Sequence, residues 1–140
     1  KRVGLLITHG GVFIAGPLVR DLNAKFNPDL QVALVNCDVI DYAKVTETAG
    51  LHADESETSQ ILAIAPETVH MDRAVDCDPD TPRSYLNYGS IFRATPNGTW
   101  GYPTKATAEK GERILEHATE TIVKEFNRAF DFMSKKEKDV

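Results

Sequence analysis

Apolar positions in this chain fall into two short unbroken runs and two longer periodic stretches. Val3–Ile7 (VGLLI) and Gln31–Cys37 (QVALVNC) are continuous enough to be parallel strands covered on both faces. Between them, Leu18, Val19, Leu22 and Phe26 recur at helical spacing. Pro17 can open that helix, because a first-turn N–H has no intrahelical partner to lose, and Asn27-Pro28 ends it. Strand, helix and strand in this order predict a βαβ unit with a right-handed crossover.

Asp38–Gly50 reads as a connection to a helix over Ala53–Ala65. Ile61, Leu62 and Ile64 anchor that helix, and Pro66 stops it. Asp76–Asn97 is rich in Asp, Pro, Arg, Tyr and Asn and carries no period. It reads as a long irregular loop, the kind that often forms a lid, a binding segment or an oligomer contact. Ala106–Met133 gives the strongest helical pattern. Gly111, Ile114, Leu115, Ala118, Ile122, Phe126, Ala129, Phe130 and Met133 make one apolar stripe. The polar tail Ser134–Val140 is expected to fray. No repeat or low-complexity linker divides the chain, so residues 1–140 read as one domain of α/β class.

Composition narrows the function classes. A length of 140 residues with 41% hydrophobic and 26% charged positions suits one packed domain. The net charge of -5 argues against a general nucleic-acid binder, which needs a basic stripe for phosphates. No apolar run approaches the roughly 20 residues needed to span a membrane. No secretory leader pattern is present, and Cys37 and Cys77 lack metal-type spacing. They read as thiols rather than a disulfide, in keeping with a reducing cytoplasm. The chain starts at Lys1 and enters strand-like sequence at once, so further upstream sequence is expected.

Candidate chemistry sits at two places. His9 lies in a Gly-rich loop at the carboxyl end of the first predicted strand, where open α/β sheets place their ligands. Gly10 and Gly11 permit close approach to a ligand. His9 is a metal-ligand candidate; the alternative is a turn or helix-capping residue. The second place is His52-Ala-Asp-Glu55-Ser-Glu57-Thr-Ser59. With a helix starting near Ala53, His52 and Glu55 stand three apart and share a face, so both can address one centre. His52 can bind metal or move protons near neutral pH. The acidic residues also suit a helix's first turn on dipole grounds alone. Glu57 lies off the Glu55 face and reads as a structural hydrogen-bonding group. His70 reads as a packing or loop position and His117 as a solvated one. Trp100 could wall a substrate pocket or pack at an interface, and Arg83, Tyr85 and Tyr88 could meet substrate or a neighbouring subunit.

These residues resemble the creatininase (creatinine amidohydrolase) family. Gly50–Ser59 is similar to its HAGExETS motif, and Thr8-His9-Gly10-Gly11 to its NGHGGN loop. Gly98–Gly111 is similar to the family's G-x-x-G-x-P-x-x-A-T-x-E-x-G stretch before its last helix. Three motifs occur in the family's order and near its spacing. The loop departs from the pattern: Ile7-Thr8 replaces Asn-Gly, and Val12 replaces the final Asn.

The resemblance implies a three-layer α/β/α sandwich with a mostly parallel sheet, of which this chain would be the carboxyl-terminal portion without the first strands. It implies a metal-dependent amidohydrolase acting on a small, cyclic molecule through a metal-activated hydroxide. Two divalent ions (Zn, Mn or Fe) are implied, with some ligands, including the bridging carboxylate, from upstream sequence. His9 and Glu55 would be metal ligands and His52 a catalytic proton shuttle. Gly10, Gly11 and Trp100 would contact substrate. A homo-oligomer, dimer or hexamer, is implied as well. The alternative is a non-catalytic structural or assembly subunit with an incomplete metal site.

Overall fold

The structure, a computed structural model, describes residues 1–135. Its main elements are β1 (Arg2–Ile7), α1 (Ala15–Phe26), β2 (Gln31–Asn36), α2 (Glu55–Ile64) and α3 (Ala108–Met133). Short 3-10 turns fill much of the remainder. The class is α/β, as the periodicities predict. The residues group into two compact units. One is Lys1–Asp41 together with the chain from His117 onward, and the other is Tyr42–Glu116; α3 contributes residues to both. Of the tail predicted to fray, residues 136–140 lie outside the described residues.

In the first unit, β1 and β2 pair in parallel, with Arg2 opposite Gln31 and Ile7 opposite Asn36. The connection through α1 makes the predicted βαβ unit. α1 starts at Ala15, two residues before Pro17, which still falls in the first turn where its missing N–H costs nothing. It ends at Phe26, just ahead of Asn27-Pro28. The Asn23 side-chain amide donates to the Val32 carbonyl and accepts from the Val32 N–H, each at 2.7 Å. One amide thus fills a place on β2 that a neighbouring strand would fill.

The two strands differ in cover. Val32, Ala33 and Val35 are buried, as expected for a doubly covered strand. β1 is not: Val3 is 41% and Leu6 44% exposed. β1 pairs with β2 alone among the described residues, so its apolar run lies on an edge rather than inside a sheet. On α3, the Phe126 ring comes against Gly4, and Phe130 stacks on Phe126 and receives the Arg2 guanidinium over its face.

The second unit is built around α2 and the first turns of α3. Asp54 caps α2, accepting from the Glu57 N–H at 2.9 Å and the Ser56 hydroxyl at 2.8 Å. Ser59 and Ile114 are almost wholly buried. The two helices meet where Gly111 faces Ser59; a Cβ on Gly111 would stand 2.0 Å from the Ser59 carbonyl oxygen. The Ser59 hydroxyl also accepts the Thr107 N–H, an unpaired donor at the start of α3. Asp76–Asn97 is irregular, as predicted, with turns at Arg83–Tyr88 and Ile91–Arg93. Its start is fastened by Cys77 pairing with Gly101 and by Asp76, which accepts the Thr104 N–H and hydroxyl. No disulfide joins Cys37 to Cys77.

Candidate active site

His52 stands outside the helix that the sequence places it on. The cap of α2 is Asp54, and His52 lies two residues before it in extended backbone paired with Trp100. Trp100 N–H donates to the His52 carbonyl at 2.9 Å, and the Trp100 carbonyl accepts from Leu51 and His52 at 2.7 and 3.2 Å. The helical argument for His52 and Glu55 sharing a face therefore fails. Between His52 and the cap, Ala53 takes a left-handed φ of 48°, a conformation that costs a non-glycine residue about 1–3 kcal/mol. That turn brings Glu57 back toward His52. Glu57 Oε2 accepts the Ala53 N–H at 2.6 Å and lies 3.6 Å from His52 Nδ1. Both side chains remain about half exposed.

Glu55, by contrast, has no exposed area. Four donors converge on its carboxylate: the Glu47 N–H at 3.1 Å, the Thr48 N–H at 2.8 Å, the Thr48 hydroxyl at 2.5 Å and the Lys110 ammonium at 2.6 Å. Lys110 is itself fixed by Glu47 and the Lys105 carbonyl. Burial raises the Glu55 pKa, but Lys110 first, then Thr48 and the two backbone N–H groups, outweigh it and hold the carboxyl at about 2. In return, Glu47 and Glu55 raise the pKa of Lys110.

An ionised carboxylate offers about four lone-pair sites, and these donors take them. As placed, Glu55 does not fit a cation. Among the described residues, no group of three or more His, Cys, Asp or Glu side chains is arranged to hold a metal.

His9 belongs to the first unit, in the loop between β1 and α1, and is exposed. Its ring folds back over Gly11, so that a Cβ there would stand 3.1 Å from Nε2. Gly10 is exposed beside it. The structure thus groups His52 with Trp100 and Glu57, and sets Glu55 in a separate buried cradle.

Trp100 is only 9% exposed and acts on His52 through its backbone. Gly101 after it has a φ of 139°, and a Cβ there would meet the Asp54 Cβ at 2.6 Å, so a side chain would push the pairing strand off the cap. Next to His52 and Trp100, a shallow cleft is lined by Ala53, Thr58, His70, Arg73, Thr99 and Pro103. Tyr85 and Tyr88 form an exposed edge-to-face pair. His117 departs from the solvated position predicted for it: its Nε2 is buried and meets no hydrogen-bond partner.

Glu57 beside His52 was the pairing the sequence hid. A helix places residues two apart on different faces, which argued for Glu57 as a separate group. The contact instead depends on the left-handed Ala53, and alanine carries no sequence signal for that conformation.

Comparison with known proteins identifies the family. The family profile for creatininase (creatinine amidohydrolase) matches residues 1–126. The chain belongs to the creatininase family. It is 34% identical to the 3-dehydro-scyllo-inosose hydrolase of Thermotoga maritima, in an alignment covering 50% of this chain and 29% of that protein. It is 35% identical to the mycofactocin precursor peptide peptidase of Mycobacterium ulcerans, covering 55% of this chain and 32% of that one. A crystal structure from Bacteroides fragilis, provisionally assigned as a creatinine amidohydrolase, superposes with a TM-score of 0.69 at 30% identity, over 96% of this chain and 56% of that chain. A glutamate-to-glutamine mutant creatininase of Zn–Zn type superposes at 0.61 with 25% identity, over 86% and 50%. The chain spans about a third of the length of the curated relatives and about half that of the solved structures.

Proposed function

We propose that residues 1–140 are the carboxyl-terminal portion of a single creatininase-like hydrolase domain, and that His52 is its proton-transfer residue. The substrate class is an amide or related carbonyl compound, small and cyclic. Family membership supports hydrolysis, and its relatives include a 3-dehydro-scyllo-inosose hydrolase and a mycofactocin precursor peptide peptidase. The observation that carries the reading is the placement of His52, with its backbone bonded to Trp100 and its ring beside Glu57, next in the chain to Ala53, which lines a cleft.

The chain's own residues then have defined tasks. The Trp100 backbone holds His52 in extended geometry, and the imidazole accepts a proton and returns it to the leaving group. Trp100 itself serves substrate through this placement, while Gly10 and Gly11 keep the His9 loop open to close approach. The Zn–Zn relative supports a divalent-metal enzyme. A bound divalent ion supplies hydroxide at neutral pH and polarises a carbonyl. Of the two ligands the family resemblance assigns here, His9 is free to serve. Glu55 would first have to leave Lys110, Thr48 and Glu47, so no step of this reading runs through a metal. The proposed assembly is a cytoplasmic homo-oligomer, dimer or hexamer, with no nucleic-acid or membrane partner. No helix among the described residues is long and apolar enough to cross a membrane.

Turnover by the protein isolated from its source, screened on cyclic amides and ring ketones, tests the reading. His52→Asn should lower kcat by roughly 100-fold or more, the usual yield of a positioned general acid–base, with an unchanged melting temperature. Full turnover in that variant would remove His52 from the chemistry. A second reading, a structural subunit with an incomplete metal site, draws on the saturated Glu55 cradle. Metal-dependent turnover in the isolated protein would end it.

A further inference from the structure

We infer that Glu57 is a positioning residue that fixes the tautomer of His52; this deepens the proton-transfer reading and rests on it. Three observations converge on the pair. Glu57 Oε2 lies 3.6 Å from His52 Nδ1, in ion-pair range and short of a full hydrogen bond. The same oxygen is tied by the Ala53 N–H at 2.6 Å, and the Glu57 N–H donates to the Asp54 cap at 2.9 Å. The carboxylate is therefore held by its own helix end rather than swinging freely. Finally, the left-handed Ala53 is the bend that turns His52 and Glu57 toward each other, a strained conformation kept at the one point where the candidate site needs it.

A carboxylate beside Nδ1 favours the proton on that nitrogen, because an acceptor stabilises the facing N–H. Nε2 is then the bare nitrogen that takes a proton from the reaction and gives it back. In the opposite tautomer Nδ1 would point a lone pair at the carboxylate, and Nε2 would have no room for an incoming proton. The exposed setting makes the pair weak as a contribution to stability. Its effect is on which nitrogen is available.

The test reads the tautomer directly and needs no substrate. Long-range proton–nitrogen NMR of the full protein, at about pH 8.5 where an ordinary imidazole is neutral, reports the two ring nitrogens. His52→Asn identifies the His52 signal. The wild type should show the Nδ1–H form in the majority. Glu57→Ala should make it the minority, and Glu57→Gln should largely retain it, because an amide oxygen can still accept from Ala53 and Nδ1. A wild type with Nε2–H in the majority overturns the inference, whether or not Glu57→Ala folds. So does a ratio unchanged in a folded Glu57→Ala protein. Failure of the broader reading looks different: the tautomer responds to Glu57, but His52→Asn leaves turnover intact.

Discussion

A carboxylate without exposed surface is costly unless donors meet it, and at Glu55 they do. Its pKa is about 2 in the folded protein, against 4.5 ordinarily. Since the folded value is the lower one, the cradle's stabilisation is complete above about pH 4.5 and is lost as pH falls toward 2. The shift corresponds to about 3 kcal/mol at neutral pH. Glu55→Gln puts an amide among the same donors, next to a buried ammonium. Urea unfolding at pH 7 should show the variant destabilised by several kcal/mol, the scale expected when one partner of a buried ion pair is removed. At pH 3 the gap to wild type should be smaller. A gap that does not change with pH would mean that the Lys110 and Thr48 contacts do not hold this charge.

At the scale of elements, the contact between α2 and α3 depends on the absence of a side chain. The Ser59 carbonyl would lie 2.0 Å from a Cβ on Gly111, and the Ala63 methyl 2.8 Å from it. Both are parts of a helix packed against α3, so neither can swing aside as a long side chain would. Gly111→Ala should therefore destabilise the fold by about 1–3 kcal/mol or more, although alanine is the better helix former by about 1 kcal/mol. A thermal melt would decide it; a raised melting temperature would show that the helices can separate cheaply.

The α3 stripe was legible in the sequence, because every position named from Gly111 to Met133 is buried or half-buried. β2 was legible for the same reason, as were the stops at Asn27-Pro28 and Pro66. The cover of β1 was not, because burial depends on neighbours that a local run of Val, Leu and Ile does not specify. The Glu55 cradle was hidden because its donors Glu47 and Thr48 lie in the loop before α2 and Lys110 lies on another helix far along the chain. The start of α2 was misplaced by two residues, and that shift converted an apparent His52–Glu55 pair into the His52–Glu57 one.

For the whole molecule, the question is where a metal would be held. The chain spans about half or less of its relatives' lengths, and the two ligands that the family resemblance implies within it are His9 and Glu55. His9 is exposed in the loop between β1 and α1, and imidazole is a common zinc ligand. Glu55 already neutralises an ammonium at 2.6 Å, and giving it up to a cation would leave Lys110 with the more exposed Glu47 as its one carboxylate, beside the Lys105 carbonyl. The two residues that the family resemblance treats alike should therefore behave differently. Elemental analysis of the protein from its source, per folded chain, should show metal content reduced in His9→Ala and retained in Glu55→Gln. Equal loss in both variants would mean that the cradle opens when metal binds and that Lys110 is released as it does so. Retention in both would mean that neither residue is needed to hold the metal, leaving His9 a loop residue and its glycines a means of turning the chain from β1 into α1.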